Sequence, residues 1–314
     1  MALNILVTEV IDPLGIQILE SGGHVHYDPH LWQDPDSLQL LITDYDALVV
    51  RNQTLVTSAL LDQSHLCVIG RLGVGLDNID VAAAKASQIP VIVAKGANSI
   101  AVAEYVLSCC LEHCRPLTAV DALTRNGEWD RLRGGVEIYG KTLGIIGLGD
   151  IGQRLTLRAR ALGLHVIAYD PVLLPTHWTI VDGGAELKTL EEVLALSDFV
   201  SVHVPLTADT YHLINAFRLQ QMKPSGYLIN TARGGVIDEP ALLRAIQSGH
   251  LTGAALDVRE IEPPPLNDPL RQESRILMTP HIAGLTHEAQ VRTAQLVAED
   301  VVRVLNGIPP QAAI

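Results

Sequence analysis

The sequence predicts an α/β protein built from two doubly wound domains, each around a parallel sheet. Short β-branched and apolar runs alternate with amphipathic helical stretches along nearly the whole chain, the order that puts helices on both faces of a parallel sheet. The alternation falls into two series, divided by a long helical stretch. Bulk composition agrees: 314 residues suffice for two domains, and 48% hydrophobic content with only 4% aromatic residues calls for an aliphatic core.

The first series opens at once, with strands expected at 5–8, 47–50, 67–70 and 91–93 and a helix at 81–87. The opening Met1-Ala2-Leu3-Asn4 has no basic segment or cleavage site and reads as the entry to a strand, not as a signal peptide. A helix is expected over 99–117, capped by Asn98-Ser99. The second series places strands at 142–146, 165–169, 199–203, 226–230, 253–256 and 276–279, with helices at 151–162, 190–196 and 240–248. A last helix is expected from 286 to 305, closed by Asn306-Gly307 before Pro309. If both long helices cross between domains, the first domain is discontinuous, 1–98 with 285–314, around a second of 99–284. Ligands in such folds bind beyond the carboxyl ends of the strands, so the cleft between the domains is the expected site.

Composition narrows the functional classes. No apolar run approaches the ~20 residues needed to span a bilayer. The cysteines, Cys67, Cys109, Cys110 and Cys114, lack metal-ligand spacing and suit reduced thiols in a cytoplasmic protein with no metal site. A net charge of −13 argues against nucleic acid or an anionic membrane as partner. A small anionic substrate stays open, given a local basic pocket.

Lys141-Thr142-Leu143-Gly144-Ile145-Ile146-Gly147-Leu148-Gly149-Asp150-Ile151-Gly152 is a strand running into G-x-G-x-x-G and then a helix. Gly147 suits the tight turn, Gly149 admits a diphosphate, and Gly152 lets helix and strand pack closely. Asp150 and Ile151 open the helix, whose free amides suit an anion; the Asp150 side chain is expected to face solvent. The next strand ends in Tyr169-Asp170, about 20 residues on, where an acid accepts the ribose hydroxyls. That carboxylate would repel a 2′-phosphate and no arginine follows it, so NAD is favoured over NADP.

Three further groups stand at strand ends in the second series. Arg233 lies in Thr231-Ala232-Arg233-Gly234-Gly235, Asp257 and Glu262 follow Ala254-Ala255-Leu256, and His281 lies in Thr279-Pro280-His281. Alone, each has a duller reading, as a surface ion pair, a solvated acid or a packed histidine. Together beside a dinucleotide they are what hydride transfer requires. The guanidinium clamps a substrate carboxylate, the imidazole exchanges the hydroxyl proton, and a carboxylate on the other ring nitrogen fixes the tautomer.

Over almost its whole length the chain resembles the D-isomer-specific 2-hydroxyacid dehydrogenase family. The motifs are Gly73-Val74-Gly75-Leu76-Asp77-Asn78-Ile79-Asp80, Gly96-Ala97-Asn98-Ser99, the glycine fingerprint, Val202-His203-Val204-Pro205-Leu206-Thr207, Thr231–Gly235, Asp257 to Glu262-Pro263, and Thr279-Pro280-His281. The resemblance implies a Rossmann NAD-binding domain and a flavodoxin-like substrate domain. It makes Arg233, Glu262 and His281 the catalytic trio and gives Asp257 the nicotinamide carboxamide. His203, Pro205, Thr231, Ala232, Arg233, His281 and Gly284 join the cofactor site, while Val74, Gly75 and Asn98 bind the substrate carboxylate with Arg233 and His281. A homodimer formed largely through the cofactor domains is implied as well. One departure is Arg259, where the family usually has an aromatic residue; an effect on packing or on the cleft rim is expected. Formate dehydrogenases of the same fold carry Gln where Glu262 stands, so the acid supports proton-coupled chemistry.

Arg51 and Arg71 end neighbouring strands of the first series and suggest a second anion site for the far end of the substrate. Their surroundings resemble those of family members acting on 3-phosphoglycerate and sulfolactate. Two alternatives stay open: a glyoxylate or hydroxypyruvate reductase, in which these arginines have no substrate role, and a non-catalytic, NAD-sensing protein resembling the family's corepressors.

Overall fold

A computed structural model of the chain describes residues 3–314. The chain splits into two compact units, Met1–Asn98 with Leu285–Ile314, and Ser99–Gly284.

The first unit holds β1 (Asn4–Val7), α1 (Pro13–Glu20), β2 (His24–Tyr27), α2 (Pro35–Leu41) and β3 (Ala47–Val50). It continues with α3 (Ser58–Asp62), β4 (Val68–Arg71), α4 (Val81–Ala86) and β5 (Val91–Val93). The strands pair in parallel, in the order β2-β1-β3-β4-β5. Successive side chains point to opposite faces: Ile5 and Val7 enter one apolar cluster and Leu6 the other. Strand β2 has no counterpart in the sequence expectation, because His-Val-His-Tyr lies at the sheet edge and half exposed, without an apolar run.

The second unit begins with α5 (Ser99–Cys114) and α6 (Leu117–Arg125). The single helix expected over 99–117 is therefore two, broken at Arg115-Pro116, where the proline ring disfavours helix in the preceding residue. Then come β6 (Thr142–Ile146), α7 (Asp150–Ala161), β7 (His165–Tyr169), α8 (Trp178–Val181), β8 (Glu186–Leu187) and α9 (Leu190–Leu196). The last part holds β9 (Phe199–Val202), α10 (Ala216–Gln221), β10 (Tyr227–Asn230), α11 (Glu239–Gln247), β11 (Gly253–Leu256) and β12 (Ile276–Met278). The 7-stranded sheet runs β12-β11-β10-β9-β6-β7-β8, parallel throughout. Leu143 and Ile145 face α5 and α7, Ile146 the opposite cluster under α9 to α11.

Helix α12 (His287–Leu305) belongs to the first unit and seats Val297 and Val301 over β4. Its Asp300 accepts the amides of Gln311 and Ala312, which lays the last residues along β5. No helix among the described residues is long and apolar enough to cross a membrane. The cysteines are unpaired, Cys67 exposed and the other three buried.

Candidate active site

Register alone gathers most of the expected groups of the second unit. Tyr169, Ile146, Val202, Asn230, Leu256 and Met278 pair in one row across the sheet. The next residue on each chain is Asp170, Gly147, His203, Thr231, Asp257 and Thr279, a row along the carboxyl edge. Backbone bonds extend the ladder into it, His203 N–H to Ile146 O at 2.8 Å and Asp257 N–H to Asn230 O at 3.0 Å.

The three fingerprint glycines stand in different surroundings. Gly147 turns at φ +96°, and a Cβ on Gly152 would stand 2.5 Å from the Gly147 carbonyl oxygen. A Cβ on Gly149 would meet open space. Asp150 is exposed at the start of α7, with Ile151 half-buried behind it. Asp170 receives the Leu148 amide on one oxygen at 2.8 Å and those of Val172 and Leu173 on the other, so the acid is tied to the glycine loop. Burial drives the His203 imidazole down to about 4, leaving it neutral. Its Nε2 meets Ser201 Oγ at 2.9 Å. His203 Nδ1 and Thr231 Oγ1 are buried with no partner among the described residues. Two orphaned polar atoms and open space over Gly149 on one sheet edge fit a dinucleotide.

At the β11–β12 side, His281 Nδ1 lies 2.8 Å from Glu262 Oε2, and Glu262 Oε1 accepts the Arg259 amide at 2.8 Å. Burial raises the Glu262 carboxyl. The bonds from His281 and the Arg259 amide, with the charges of His281 and Arg233, outweigh this and hold it below its ordinary value. The pair is half exposed, open to a proton donor or acceptor on the free ring nitrogen. Arg233 directs Nη1 to the Ala232 carbonyl at 2.7 Å, and Asn230 fastens the turn by bonds to the Ala232 amide and the Arg233 carbonyl. Pro205 is exposed, its carbonyl held by Thr210, and Gly284 ends the unit.

Asp257 is 2% exposed and fully engaged: Thr279 Oγ1 and the Ile282 amide donate to one oxygen, the Ala283 amide to the other. The Thr279 hydroxyl, having one proton, gives it to Asp257 and receives from the Tyr105 hydroxyl at 2.5 Å. Asp257 thus pins the loop that carries His281, and Tyr105 and Thr279 extend the chain to α5. The sequence reading missed Tyr105, named Thr279 only as part of its motif, and missed a second role for Asp257.

In the first unit Val50 pairs with Arg71, so Arg51 and Arg71 end neighbouring strands. Arg71 Nη1 bonds the Leu72 carbonyl. Burial lowers the Arg51 pKa, and the Glu9 charge opposes that shift. The carboxylate of Glu9, itself 3% exposed, accepts the amides of Arg51, Gln53 and Thr54. Those three amides of the loop are therefore already occupied by a buried acid. Glu9 was not singled out in the sequence reading. Val74 is exposed and Gly75 and Asn98 half-buried in the same unit.

Of the two places expected for Arg259, packing or the cleft rim, it takes the first: its side chain is only 6% exposed and pairs with Glu239 and Asp268 inside the second unit.

Residues 107–283 match the family described as D-isomer specific 2-hydroxyacid dehydrogenase, NAD binding domain. The chain is 42% identical to D-3-phosphoglycerate dehydrogenase of Methanocaldococcus jannaschii, over 97% of this chain and 58% of that one. It is 41% identical to (S)-sulfolactate dehydrogenase of Chromohalobacter salexigens, over 96% and 98%. The TT0316 protein of Thermus thermophilus shares the structure at a TM-score of 0.91 and 32% identity, covering 99% of this chain and 100% of that one. The chain spans about half the length of the D-3-phosphoglycerate dehydrogenases it matches, 51–59% for four of them.

Proposed function

The chain belongs to the D-isomer-specific 2-hydroxyacid dehydrogenase family, and from that premise we propose that it oxidises and reduces, at C2, a small 2-hydroxy or 2-oxo acid bearing a second anionic group. 3-Phosphoglycerate and sulfolactate are the leading substrates. The observation that carries the reading is the His281–Glu262 hydrogen bond, in the same unit as the glycine fingerprint and within the field of Arg233.

NAD, when bound, supplies the hydride acceptor and NADH the donor. Asp170 would take the ribose hydroxyls, the amides of the Gly149–Gly152 turn would hold the diphosphate, and Thr231 and His203 would offer their unpartnered polar atoms. Arg233 clamps the substrate carboxylate, with Asn98 and the Val74-Gly75 backbone assisting. In reduction His281 gives the proton on Nε2 to the C2 oxygen as that oxygen becomes a hydroxyl. In oxidation it takes the proton back. Glu262 holds Nδ1–H throughout and stabilises the imidazolium. Arg51 and Arg71 receive the second anion.

A homodimer and a cytoplasmic setting belong to the same reading. The segment after α6 exposes Trp129 (81%), Leu132 (96%) and Tyr139 (76%), an apolar surface suited to a second copy through the NAD-binding unit. Unpaired cysteines suit a reducing compartment. The test of the reaction is NADH consumption with a panel of 2-oxo acids: 3-phosphohydroxypyruvate, sulfopyruvate, oxaloacetate, hydroxypyruvate, glyoxylate and pyruvate. Turnover led by the charged acids supports the reading. Preference for glyoxylate or hydroxypyruvate would favour the reductase alternative, and no turnover an NAD-sensing role.

A further inference from the structure

One of the two bonds on Glu262 comes from the backbone of a residue whose side chain is bonded elsewhere. Arg259 donates its backbone amide to Glu262 Oε1 at 2.8 Å. Its guanidinium enters the interior, where Nε and Nη2 bond the two oxygens of Glu239 at 2.9 Å each and Nη2 also meets Asp268 Oδ2 at 2.5 Å. Glu239 is the first residue of α11 and also accepts the Glu260 amide at 3.0 Å. Asp268 caps the short turn Pro269–Gln272 through the Leu270 amide. One side chain therefore ties the 257–262 strap to two other segments. The strap also packs against the Arg233 turn: a Cβ on Gly234 would stand 1.9 Å from the Arg259 carbonyl carbon.

A buried guanidinium between two buried acids is a poor device for stability, since desolvation consumes most of the attraction. It is a good device for direction, because a planar fork held at both edges leaves the main chain little freedom. The charged groups about Glu262 are His281 and Arg233, and those about Arg259 are Glu239 and Asp268. Glu260, between them, turns to Tyr211 and His212.

From this geometry we infer that Arg259 is a positioning residue for the proton-transfer pair, fixing the Glu262 carboxylate, and through it the His281 ring, by its clamp on Glu239 and Asp268. The inference rests on the functional reading above. Its test does not depend on activity. The His281 ring is titrated by NMR, assigned by its absence in His281→Gln, in wild type, Arg259→Lys, Glu239→Gln and Glu262→Gln. Lysine keeps the buried charge but not the fork, and Glu239→Gln keeps Arg259 paired to Asp268, so the clamp is loosened from either end.

Glu262→Gln sets the full downward displacement of the His281 midpoint. Arg259→Lys and Glu239→Gln should each move it the same way by about half a pH unit or more. In the NADH assay both should lower kcat about 10–100-fold while NADH affinity stays within about twofold, as expected for a misdirected group. A His281 midpoint unchanged in both folded variants, even with a lowered Tm, overturns the inference; if Arg259→Lys does not fold, Glu239→Gln decides alone. A wild type inactive on every 2-oxo acid would instead defeat the functional reading, and the titration would still decide the role of Arg259.

Discussion

His281 stands at φ +57°, a left-handed backbone that a non-glycine residue adopts only where its surroundings impose it. Here Asp257 imposes it, accepting the Ile282 and Ala283 amides while its own carbonyl takes the His281 amide. Replacing His281 by Gln removes the proton carrier and should lower kcat by ~10²–10⁴, read in steady-state turnover. Glu262, held below its ordinary carboxyl value, stays ionised through neutral pH and loses its charge only as pH falls through that lowered value. Glu262→Gln withdraws support from the imidazolium wherever Glu262 would be ionised. Reduction requires protonated His281 and fails as pH rises; in Glu262→Gln that failure should come at lower pH, and an unshifted profile would uncouple the acid from the base. Asp170 governs the cofactor. NAD should be used at least ~30-fold better than NADP, on the order of 2 kcal/mol. Because Asp170 also holds the Leu148 amide, Asp170→Ala should weaken NADH binding as well as narrow this ratio; equal kcat/KM for both cofactors in wild type would refute it.

At the scale of elements, the strap 257–262 and the turn 231–235 pack so closely that only glycine fits at 234. Gly234→Ala must push backbone from backbone, an overpacking that costs about 1–3 kcal/mol or more. Both Tm and kcat should fall, since Arg233 and Glu262 leave register together; a fully active alanine variant would show that this packing does not serve the site. Arg233, Asp257 and Glu262 are legible in the sequence because each follows an apolar run, and a parallel sheet brings such positions to one edge. The glycine fingerprint is legible because its spacing encodes a turn. Arg259 is not, since its meaning depends on Glu239, 20 residues away and on another element. Glu9 is equally hidden, because the amides it binds lie up to 45 residues on. Strand β2 escapes for the opposite reason: an edge strand needs no apolar run to pair.

At the scale of the whole molecule, both parallel sheets and the family resemblance carried by the motifs are borne out. The proposed homodimer should appear as twice the chain mass in light scattering. Trp129→Ser with Leu132→Ser should yield a monomer, whereas a wild-type monomer would dismiss the dimer. The broadest claim of the proposed function is that Arg51 and Arg71, ending adjacent strands of the first unit, take the second anion of the substrate. A charge-assisted contact contributes about 1.5–3 kcal/mol, so losing either arginine should cost roughly 10–150-fold in kcat/KM for a substrate with a second anion. A neutral-tailed acid, which offers these arginines no charge, should lose little. The measurement is therefore kcat/KM for matched phosphorylated, sulfonated and neutral 2-oxo acids with wild type, Arg51→Ala and Arg71→Ala. A loss confined to the charged acids is the predicted result. An equal loss on charged and neutral acids alike would contradict it and leave both arginines with a structural role only.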